Sequence, residues 1–473
     1  MNLLSKTLTL GLVTLLLPAC LQESTGGTPE HADDTAIDTT AGPDGTQDTA
    51  TAPSDTQRAD TSLPGDVPTE NNTGTGGMSP TLLVEERVAL DNYKRPVRPS
   101  LAVDADGTPH FYVTVWRDQE DIAGYLVRED DAWRHVGVVR AGSAGIGHGG
   151  GIAYGFVDWT TASGLQVWIW RDTDGTIGTD NRTDIFRYQQ DSWTVVDSVA
   201  DTEAYQVLRD SSGAAVAAMG HYGGNTYVLA PTVEGWERTF LPAYSVNRPL
   251  ATFTPAGTVA AVSRLQLVHL GGPTEAIDPD GDNELMPLGP VLDDDGAIHV
   301  LRQTSSHYGA ELVQSTRDSP GHWSHVVLAS DTAYPTAEAC PTTHGEPCVF
   351  FGERVRATAL TSTGEVVVPV LVRQPQRIEY WRQCLRYDPN FMGSTQGPCI
   401  EPDGPSGPWL AHPTVVPDGD TVLEVAGVVV PLAEPFPPSN TRPVATVDTA
   451  GHLHLAYLDR EGLRYLLIDL YGE

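Results

Sequence analysis

From residue 81 onward, apolar and polar residues alternate in short runs that end at Asp/Gly turns. One run, Arg98-Pro-Ser-Leu-Ala-Val-Asp-Ala-Asp-Gly107, aligns with Arg442-Pro-Val-Ala-Thr-Val-Asp-Thr-Ala-Gly451, and Arg248 to Gly257 repeats the same arginine-to-glycine spacing. A period of two is typical of β-strands, and glycine accepts the positive φ that a tight turn requires. Each copy therefore predicts a strand, a turn and a second strand. No segment shows sustained helical periodicity.

A tryptophan motif recurs later in the repeat. An acidic residue or a glycine stands two positions before Trp133, Trp193, Trp236 and Trp323, and a short apolar run follows each of them. These tryptophans lie 23 to 29 residues after the turn glycine of their own repeat, the spacing of a fourth strand in a four-stranded antiparallel sheet. The turn glycines are mostly 39 to 57 residues apart, which is the length of one β-propeller blade.

The predicted fold is therefore an all-β single propeller of four-stranded antiparallel blades. Turn glycines at 107, 164, 213, 257, 296, 345 and 451 predict seven blades. The last interval is 106 residues long, which is room for one blade with a large insertion or for two blades. Gly419 is the candidate extra turn, and eight blades remain the alternative.

The end of the chain predicts how the ring closes. The last unit has three strands, of which the third is 463–469, and no residues remain for a fourth. Residues 81–90 are strand-like and precede the first full unit without a partner there. An unpaired sheet edge is unfavourable, so we expect 81–90 to pair antiparallel with 463–469 as the outer strand of the last blade.

The repeat resembles the secreted bacterial β-propellers of the sialidase-like, BNR-type kind over nearly all of 81–473. That resemblance implies a substrate carboxylate held by three arginines, and Arg98, Arg248 and Arg442 begin equivalent innermost strands. The family's Ser-x-Asp-x-Gly-x-Thr-Trp box is absent from every blade. Arg-Pro is also simply a good entry to an edge strand, because proline lacks a donor that the rim does not need.

The N-terminus has the pattern of an export signal. Lys6 supplies the positive charge, Leu8 to Leu17 is an apolar run too short to span a bilayer, and Leu17-Pro-Ala-Cys20 follows. This end resembles the bacterial lipobox, which implies a signal peptide over 1–19 and a lipidated N-terminal Cys20. The resemblance also implies the outer membrane, because Leu21 stands where an inner-membrane retention signal has Asp. An ordinary signal peptide with an incidental cysteine is the alternative.

Residues 20–80 predict a disordered acidic stalk between this anchor and the propeller at 81–473. Residues 23 to 80 carry eleven acids, one base and no aromatic residue, so they cannot bury enough apolar area to fold. The whole chain has a formal charge of −34, of which −25 belongs to residues 81–473. A propeller with this negative charge repels the phosphate backbone of nucleic acids, so nucleic acid is excluded as a partner.

The cysteine pattern agrees with an oxidising compartment. Beyond Cys20 the chain has Cys340, Cys348, Cys384 and Cys399, an even number at short spacings. Four cysteines allow three pairings, of which we favour Cys340–Cys348 and Cys384–Cys399. Zinc would prefer CxxC pairs, and the sequence has none.

Three further patterns carry candidate chemistry. Asp278, Asp280, Asp282 and Glu284 alternate as calcium-loop ligands do, but the glycine is in the fourth position of the loop instead of the sixth. Gly147-His-Gly-Gly-Gly151 resembles a lipase oxyanion loop, yet the GxSxG element that such enzymes need is missing. A shared second-strand register is occupied by His110, His299 and His454, which we interpret as packing and hydrogen-bonding positions.

These patterns predict a lipid-anchored, stalked, monomeric propeller of the cell envelope that binds a protein or glycan without catalysis. The alternative is a sialidase-like glycoside hydrolase on the same scaffold, with the arginine cluster binding an anionic substrate. No cofactor is expected beyond the calcium ion that the 278–284 pattern would accept.

Overall fold

The computed structural model describes residues 77–90, 92–94, 100–141, 152–160, 163–172, 181–209, 215–222, 225–241, 250–263, 265–278, 285–304, 310–331, 348–380, 384–387, 399–402, 414–436, 443–459 and 461–472. Within these ranges the chain forms strands and turns and no helix. Accordingly, the described part of the chain contains no helix that could cross a membrane.

The strands of the first half are, in chain order, β1 (Thr81–Ala89), β2 (Tyr93–Lys94), β3 (Leu101–Val103), β4 (Pro109–Arg117), β5 (Glu120–Glu129), β6 (Ala132–Ala141), β7 (Ile152–Thr160), β8 (Gly164–Asp172), β9 (Asn181–Gln189), β10 (Ser192–Ala200), β11 (Glu203–Arg209), β12 (Ala215–Tyr222), β13 (Asn225–Thr232), β14 (Gly235–Phe240), β15 (Ala251–Phe253) and β16 (Val259–Ser263).

The second half continues with β17 (Gln266–His269), β18 (Thr274–Ala276), β19 (Leu285–Leu292), β20 (Ile298–Gln303), β21 (Glu311–Ser319), β22 (His322–Ser330), β23 (Cys348–Ser362), β24 (Val367–Tyr380), β25 (Cys384–Tyr387), β26 (Cys399–Pro402), β27 (Thr414–Pro417), β28 (Val422–Val425), β29 (Val428–Val430), β30 (Val444–Val447), β31 (His452–Leu458) and β32 (Gly462–Asp469).

Seven antiparallel sheets form the seven blades of a β-propeller, as the repeat predicts. Blades 2 to 5 each use four consecutive strands, from β7 to β22. Blade 1 has β2 and β3 together as its first strand, followed by β4, β5 and β6. Blade 6 is built from β23, β24, β28 and β29, with β27 also pairing with β24. Blade 7 is completed by the N-terminal strand, in the order β30, β31, β32, β1.

Blade 6 corrects two details of the sequence interpretation. Its first and second strands are joined at Thr363–Val366, where Gly364 has a φ of +93°, so the turn is not at Gly345, which lies outside the described residues. Gly419 (φ +126°) lies between β27 and β28, which both pair with β24. It therefore marks an interruption of one third strand and not an extra blade, and the eight-blade alternative is wrong.

The ring closes as predicted. β1 pairs antiparallel with β32 from Thr81 opposite Asp469 to Ala89 opposite Gly462. Gly462 has a φ of +135°, and a Cβ there would lie 2.0 Å from the Val88 carbonyl oxygen, so the close approach of β1 requires glycine.

The core is a series of apolar clusters between neighbouring blades. Each of the seven blade-to-blade joints buries its own cluster. β1 contributes to two of them: Leu82 packs into the joint of blades 6 and 7, while Val84 and Val88 pack into the joint of blades 7 and 1. An eighth cluster lies within blade 6 alone.

The strand order defines two faces of the ring. First and second strands join at the lower face, and the opposite ends of the first strands define the upper face. β1 starts at the lower face, because Thr81 and His452 both lie opposite Asp469. The amide of Ser79 also donates to the Leu470 carbonyl there (2.9 Å). The chain therefore enters and leaves the ring at the lower face.

Candidate functional site

Three turn-forming aspartates are each tied to a histidine of the following strand. The pairs are Asp104–His110 (Nε2 to Oδ2 3.3 Å), Asp293–His299 (2.9 Å) and Asp448–His454 (3.1 Å). Each carboxylate also accepts a backbone N–H of its own turn, as Asp448 does from His452 at 2.9 Å. The three histidines are 7% exposed or less, which confirms their interpretation as packing and hydrogen-bonding positions.

Burial lowers the pKa of two of these histidines. His454 and His110 are both shifted in this direction because a poorly solvated imidazole disfavours the charged form, although the neighbouring aspartate opposes the effect. The Tyr465 hydroxyl lies 2.7 Å from the other ring nitrogen of His454. These groups are internal braces of the blades, and they offer no exposed chemistry.

The four motif tryptophans lie on the outer strands, as predicted, and join each blade to the preceding one. Three make edge-on ring contacts across the joint: Trp133 with Tyr465 (5.1 Å between centroids), Trp193 with Tyr125 (5.6 Å) and Trp236 with Trp168 (5.7 Å). Trp323 packs into the cluster between blades 4 and 5. The motif is therefore structural.

Carboxylates on three outer strands complete these joints. Glu86 accepts from the Trp133 indole (2.5 Å) and from the Arg128 guanidinium, and Asp197 accepts from the Trp236 indole (2.8 Å). The third, Glu275, accepts two bonds of 2.7 Å from Arg317, which lower its pKa to about 2. The full list of carboxylate–donor pairs is Glu86–Arg128, Glu86–Trp133, Asp197–Trp236 and Glu275–Arg317.

The candidate calcium residues are only partly described. Asp280, Asp282 and Glu284 lie outside the described residues. Asp278 forms an ion pair with Arg302 (2.7 Å), whose side chain is 5% exposed. Within the ranges that the structure covers, no group of three or more His, Cys, Asp or Glu side chains is placed to hold a metal ion. Calcium at 278–284 therefore stays a prediction.

The candidate anion-binding arginines also stay a prediction. Arg98, Arg248 and Arg442 all fall outside the described residues, as do the loop 147–151 and the lipidation residue Cys20.

Of the four body cysteines, Cys348 is described in full. It begins β23, is 8% exposed and is disulfide-bonded. Cys384 and Cys399 are placed by their backbone in the paired strands β25 and β26, and Cys340 lies outside the described residues. The pairing of the four remains a prediction.

The feature that distinguishes one blade from the others is the length of its first two strands. β23 has 15 residues and β24 has 14, whereas no other first or second strand exceeds 9. The surplus of about five residues, roughly 17 Å of strand, lies at the upper face. We call this upper part the crest: residues 348–353 of β23, 374–380 of β24 and 414–417 of β27.

One face of the crest is a small core of its own. Cys348, Ile378 and Tyr380 are buried there, and Phe350 packs on Tyr380 edge-on, with ring centroids 6.2 Å apart. A small sheet needs a packed apolar face to be stable, and this cluster supplies one. The crest is therefore an ordered projection of the blade.

The opposite face of the crest exposes two neighbouring apolar side chains. Phe351 is 71% exposed, the most exposed aromatic side chain of the described residues, and Val349 on the same face is 39% exposed. Phe351 lies opposite Arg377 and Val349 opposite Glu379 in the ladder. Neighbouring exposed apolar side chains on a projecting sheet make this face a candidate surface for protein binding.

Ion pairs lie on the same face as Phe351 and Val349. Arg377 pairs with Glu379 (2.6 Å), and at the base of the crest Arg373 pairs with Glu353 (2.9 Å) and with Glu424. Burial disfavours the Arg373 charge, but the two glutamates outweigh this effect and raise its pKa. These residues fix the base of the crest to the third strand of the blade.

The sequence interpretation missed the crest as a site. Its signal was the 106-residue interval after Gly345, which we interpreted as an insertion or an additional blade. The alternation of apolar residues over 348–360 and 366–380 continues for more residues than in any other repeat. This length could have identified the long strand pair.

Comparisons with known proteins identify no family. No family model and no curated protein matches the sequence. Among solved structures, TolB from Acinetobacter baumannii has 13% identity and a TM-score of 0.29 over 48% of this chain and 53% of that one, so the match spans about half of TolB. Sqt1 from Chaetomium thermophilum has 10% identity and a TM-score of 0.34, covering 82% and 100%. An endo-arabinase from Bacteroides thetaiotaomicron has 13% identity and a TM-score of 0.27, covering 70% and 98%.

Proposed function

We propose that this chain is a cell-envelope lipoprotein whose propeller binds a partner protein through the crest. The observation that carries the proposal is the exposed apolar face of the crest, with Phe351 71% and Val349 39% exposed on a braced sheet. A ring held together by buried joints needs no such projection for its own stability. We attribute the projection to binding.

A protein fits this face better than a glycan does. Phe351 and Val349 present apolar surface, and an interface centred on aromatic and aliphatic side chains with a charged rim is typical of protein partners. In the described residues around them, the charged groups are paired arginines and glutamates of the kind that form such a rim.

The anchoring part of the proposal comes from the sequence. Cys20 would carry the lipid, residues 20–80 would act as the stalk, and the outer membrane would be the location. The arrangement of the ring suits such display, since the chain enters β1 at the lower face and the crest rises from the upper face.

The binding proposal is tested with the soluble fragment 77–473 immobilised against an envelope extract. Phe351→Ser should remove the captured partner, whereas the matched control Phe240→Ser, which changes a 51% exposed phenylalanine on the outer strand of blade 3, should retain it. Equal capture by both variants would show that the crest is not the binding surface. Binding of the fragment on a glycan array, with no protein captured, would replace the protein partner by a glycan.

The anchoring proposal is tested by Cys20→Ala in the full chain. A buried acyl chain contributes about 0.8 kcal/mol per CH₂, so losing the lipid should move the protein to the soluble fraction. If the variant still sedimented with membranes after a salt wash, the lipoprotein assignment would be wrong.

A further inference from the structure

Side chains of neighbouring blades satisfy the inner strand edges of the ring. The first strand of each blade has a ladder partner on one side only, so its other edge presents N–H and C=O groups that need partners. At β7 the Ser100 hydroxyl bonds to both the N–H and the C=O of Val157 (3.1 Å each). At β15 the Gln206 side-chain amide does the same for Ala251 (3.1 and 2.9 Å).

The same edge of β23 continues from the ring into the crest. In the ring, the Val355 amide donates to Asp331 (2.6 Å) and therefore faces away from β24. The backbone groups of a strand alternate in direction with a period of two, so Val349 and Phe351 present their N–H and C=O to this same edge. Pro375 of β24 agrees with the alternation, because its carbonyl turns away from β23 to accept a backbone N–H that follows β27 (2.9 Å).

The crest part of this edge is open. Among the described strands, β23 has β24 as its single ladder partner, and the described residues place no hydrogen-bond partner on the outward N–H and C=O of Val349 and Phe351. The side chains of the same two residues are 39% and 71% exposed. The crest therefore presents backbone donors and acceptors beside two apolar side chains, at a spacing of about 6.8 Å along the strand.

This edge is complementary to an extended peptide segment. Main-chain donors and acceptors that repeat at every second residue match those of another β-strand, and the side chains of that strand would cover Val349 and Phe351. Residues 348–387 contain six arginines, three glutamates and no aspartate or lysine, a net charge of +3 in a body of −25. This local charge favours an acidic strand over a basic one.

We propose that the crest binds its partner by β-strand addition, in which an extended segment of alternating apolar and acidic residues pairs with the edge of β23 at Val349 and Phe351. This inference rests on the proposed function, because it specifies how the same surface holds the partner protein. Backbone pairing supplies affinity, and the two exposed side chains select apolar residues at alternate positions of the added strand.

The test compares two changes at Val349 in the soluble fragment 77–473. Val349→Pro removes the outward N–H together with the side chain, whereas the matched control Val349→Ala shortens the side chain and keeps the N–H. Both changes should preserve the ladder with β24, because this N–H does not point toward β24. Circular dichroism and thermal unfolding check that each variant folds.

Binding is measured by the fluorescence anisotropy of a labelled peptide of alternating leucine and glutamate. We expect Val349→Pro to bind this peptide about tenfold more weakly than Val349→Ala does, equivalent to ~1.4 kcal/mol, because a hydrogen bond to the added strand is lost. N-methylation of alternate peptide amides should abolish binding for one of the two alternating sets and preserve it for the other, since only one set faces β23.

Several results would overturn the inference. The edge would not pair with the peptide if Val349→Pro and Val349→Ala bound it equally, if both N-methylated sets bound equally, or if the parent did not bind it at all. Equal binding of a leucine–lysine peptide would show that acidic residues are not selected. A dimer of the parent that Val349→Pro dissociates, detected by sedimentation, would assign the edge to a second copy of this chain. If the proline variant does not fold, the N-methylated peptides and the parent fragment decide.

The outcome separates this inference from the proposed function. Loss of the natural partner on Phe351→Ser, combined with equal peptide binding by Val349→Pro and Val349→Ala, would leave the crest as the interface and reject strand addition. Capture of the natural partner by Phe351→Ser as by the parent would reject both.

Discussion

Blades 6 and 7 are neighbours in the ring, yet they differ in how far their apolar residues are buried. Blade 7 encloses its residues on both sides, and Leu455, Tyr457 and Leu466 are completely buried. Blade 6 does the same at the level of the ring, but its crest leaves Phe351 and Val349 exposed. Apolar burial of the first kind is the main favourable term in folding, whereas exposure of the second kind stabilises nothing until a partner covers it. If blade 6 binds a partner as proposed, stability and binding are placed in adjacent blades.

The comparison predicts its largest effect at the closing strand of blade 7. Deleting residues 81–90 removes apolar groups from two joints at once and leaves β32 with an unpaired edge. We expect fragment 91–473 to lose cooperative unfolding, as measured by urea denaturation followed by tryptophan fluorescence. Deleting only the segment before residue 77 is the control and should leave the transition unchanged. If fragment 91–473 unfolded like the parent, the closing strand would not be needed for the stability of the propeller.

A single charge in the same strand should have the next largest effect. Glu85 accepts from Arg464, whose side chain is 2% exposed, and from the Ala433 amide (2.7 Å). Burial opposes the Glu85 charge, but these bonds outweigh it and lower its pKa. Glu85→Gln removes the nearer of two carboxylates from the buried guanidinium and leaves only the exposed Glu434 at 3.9 Å, which costs about 3 kcal/mol.

The matched control for Glu85 is Glu129→Gln. Glu129 is 50% exposed and pairs with Arg134 (2.7 Å), so its loss should change the free energy of unfolding by less than about 1 kcal/mol. Since the Glu85 pKa is lowered in the folded state, its contribution should be complete above the unfolded pKa and should disappear as pH falls through the folded one. Equal stability of the two variants in urea titrations would show that Arg464 does not depend on Glu85.

Reduction of the disulfides should affect blade 6 and blade 7 differently. We expect mass spectrometry of the unreduced body to show two bridges, Cys340–Cys348 and Cys384–Cys399, and no free thiol. The second bridge closes a loop of about 15 residues, for which the chain-entropy model gives about 3 kcal/mol. Because Cys348 packs in the crest cluster and not in a blade joint, reduction should raise hydrogen exchange in the crest before the ring. Exchange that rose first in blade 7 would contradict this separation, and a free Cys384 would refute the pairing.

The sequence predicted blade 7 well and blade 6 poorly, for a physical reason. The Asp448–Gly451 turn, the missing fourth strand and the unpartnered strand 81–90 are each local patterns, and closure follows from them because a sheet edge needs a partner. In blade 6 the turn uses hydroxyls instead: Ser362 accepts from Gly364 and Thr363 from Val366. This turn has no aspartate followed by a histidine at the spacing seen in blades 1, 5 and 7, and the sequence interpretation did not recognise it.

The candidate site was still harder to predict. Exposure of Phe351 depends on how far β23 extends beyond the ring, which is a property of the assembled sheet and not of the residues around position 351.

The same difference in turn chemistry predicts a pH effect in blades 1 and 7. His110 and His454 have lowered pKa values because they are buried, so the unfolded chain takes up their protons first as pH falls. Their stabilisation is therefore present above the unfolded pKa of about 6.5 and is lost as pH falls through the folded values. Urea titrations should show His454→Gln to be less stable than the parent at neutral pH and to have a shallower loss of stability on acidification. A parallel slope in parent and variant would exclude His454 as a source.

The smallest effect on stability should come from Phe351, the residue that we propose as the centre of the binding surface. Phe351 is 71% exposed, so Phe351→Ser removes little buried area and should change the free energy of unfolding by less than about 0.5 kcal/mol. The matched change in blade 1, Phe111→Ser, affects a residue with no exposure and should cost about 4 kcal/mol. Both are measured by the same urea titration used for the closing strand. If Phe351→Ser destabilised the body as much as Phe111→Ser does, the Phe351 side chain would contribute to the stability of the propeller. The crest would then be part of the core and not a binding surface. The expected result is that Phe351→Ser leaves the free energy of unfolding almost unchanged and abolishes capture of the partner. That result would assign stability of the propeller to blade 7 and partner binding to blade 6.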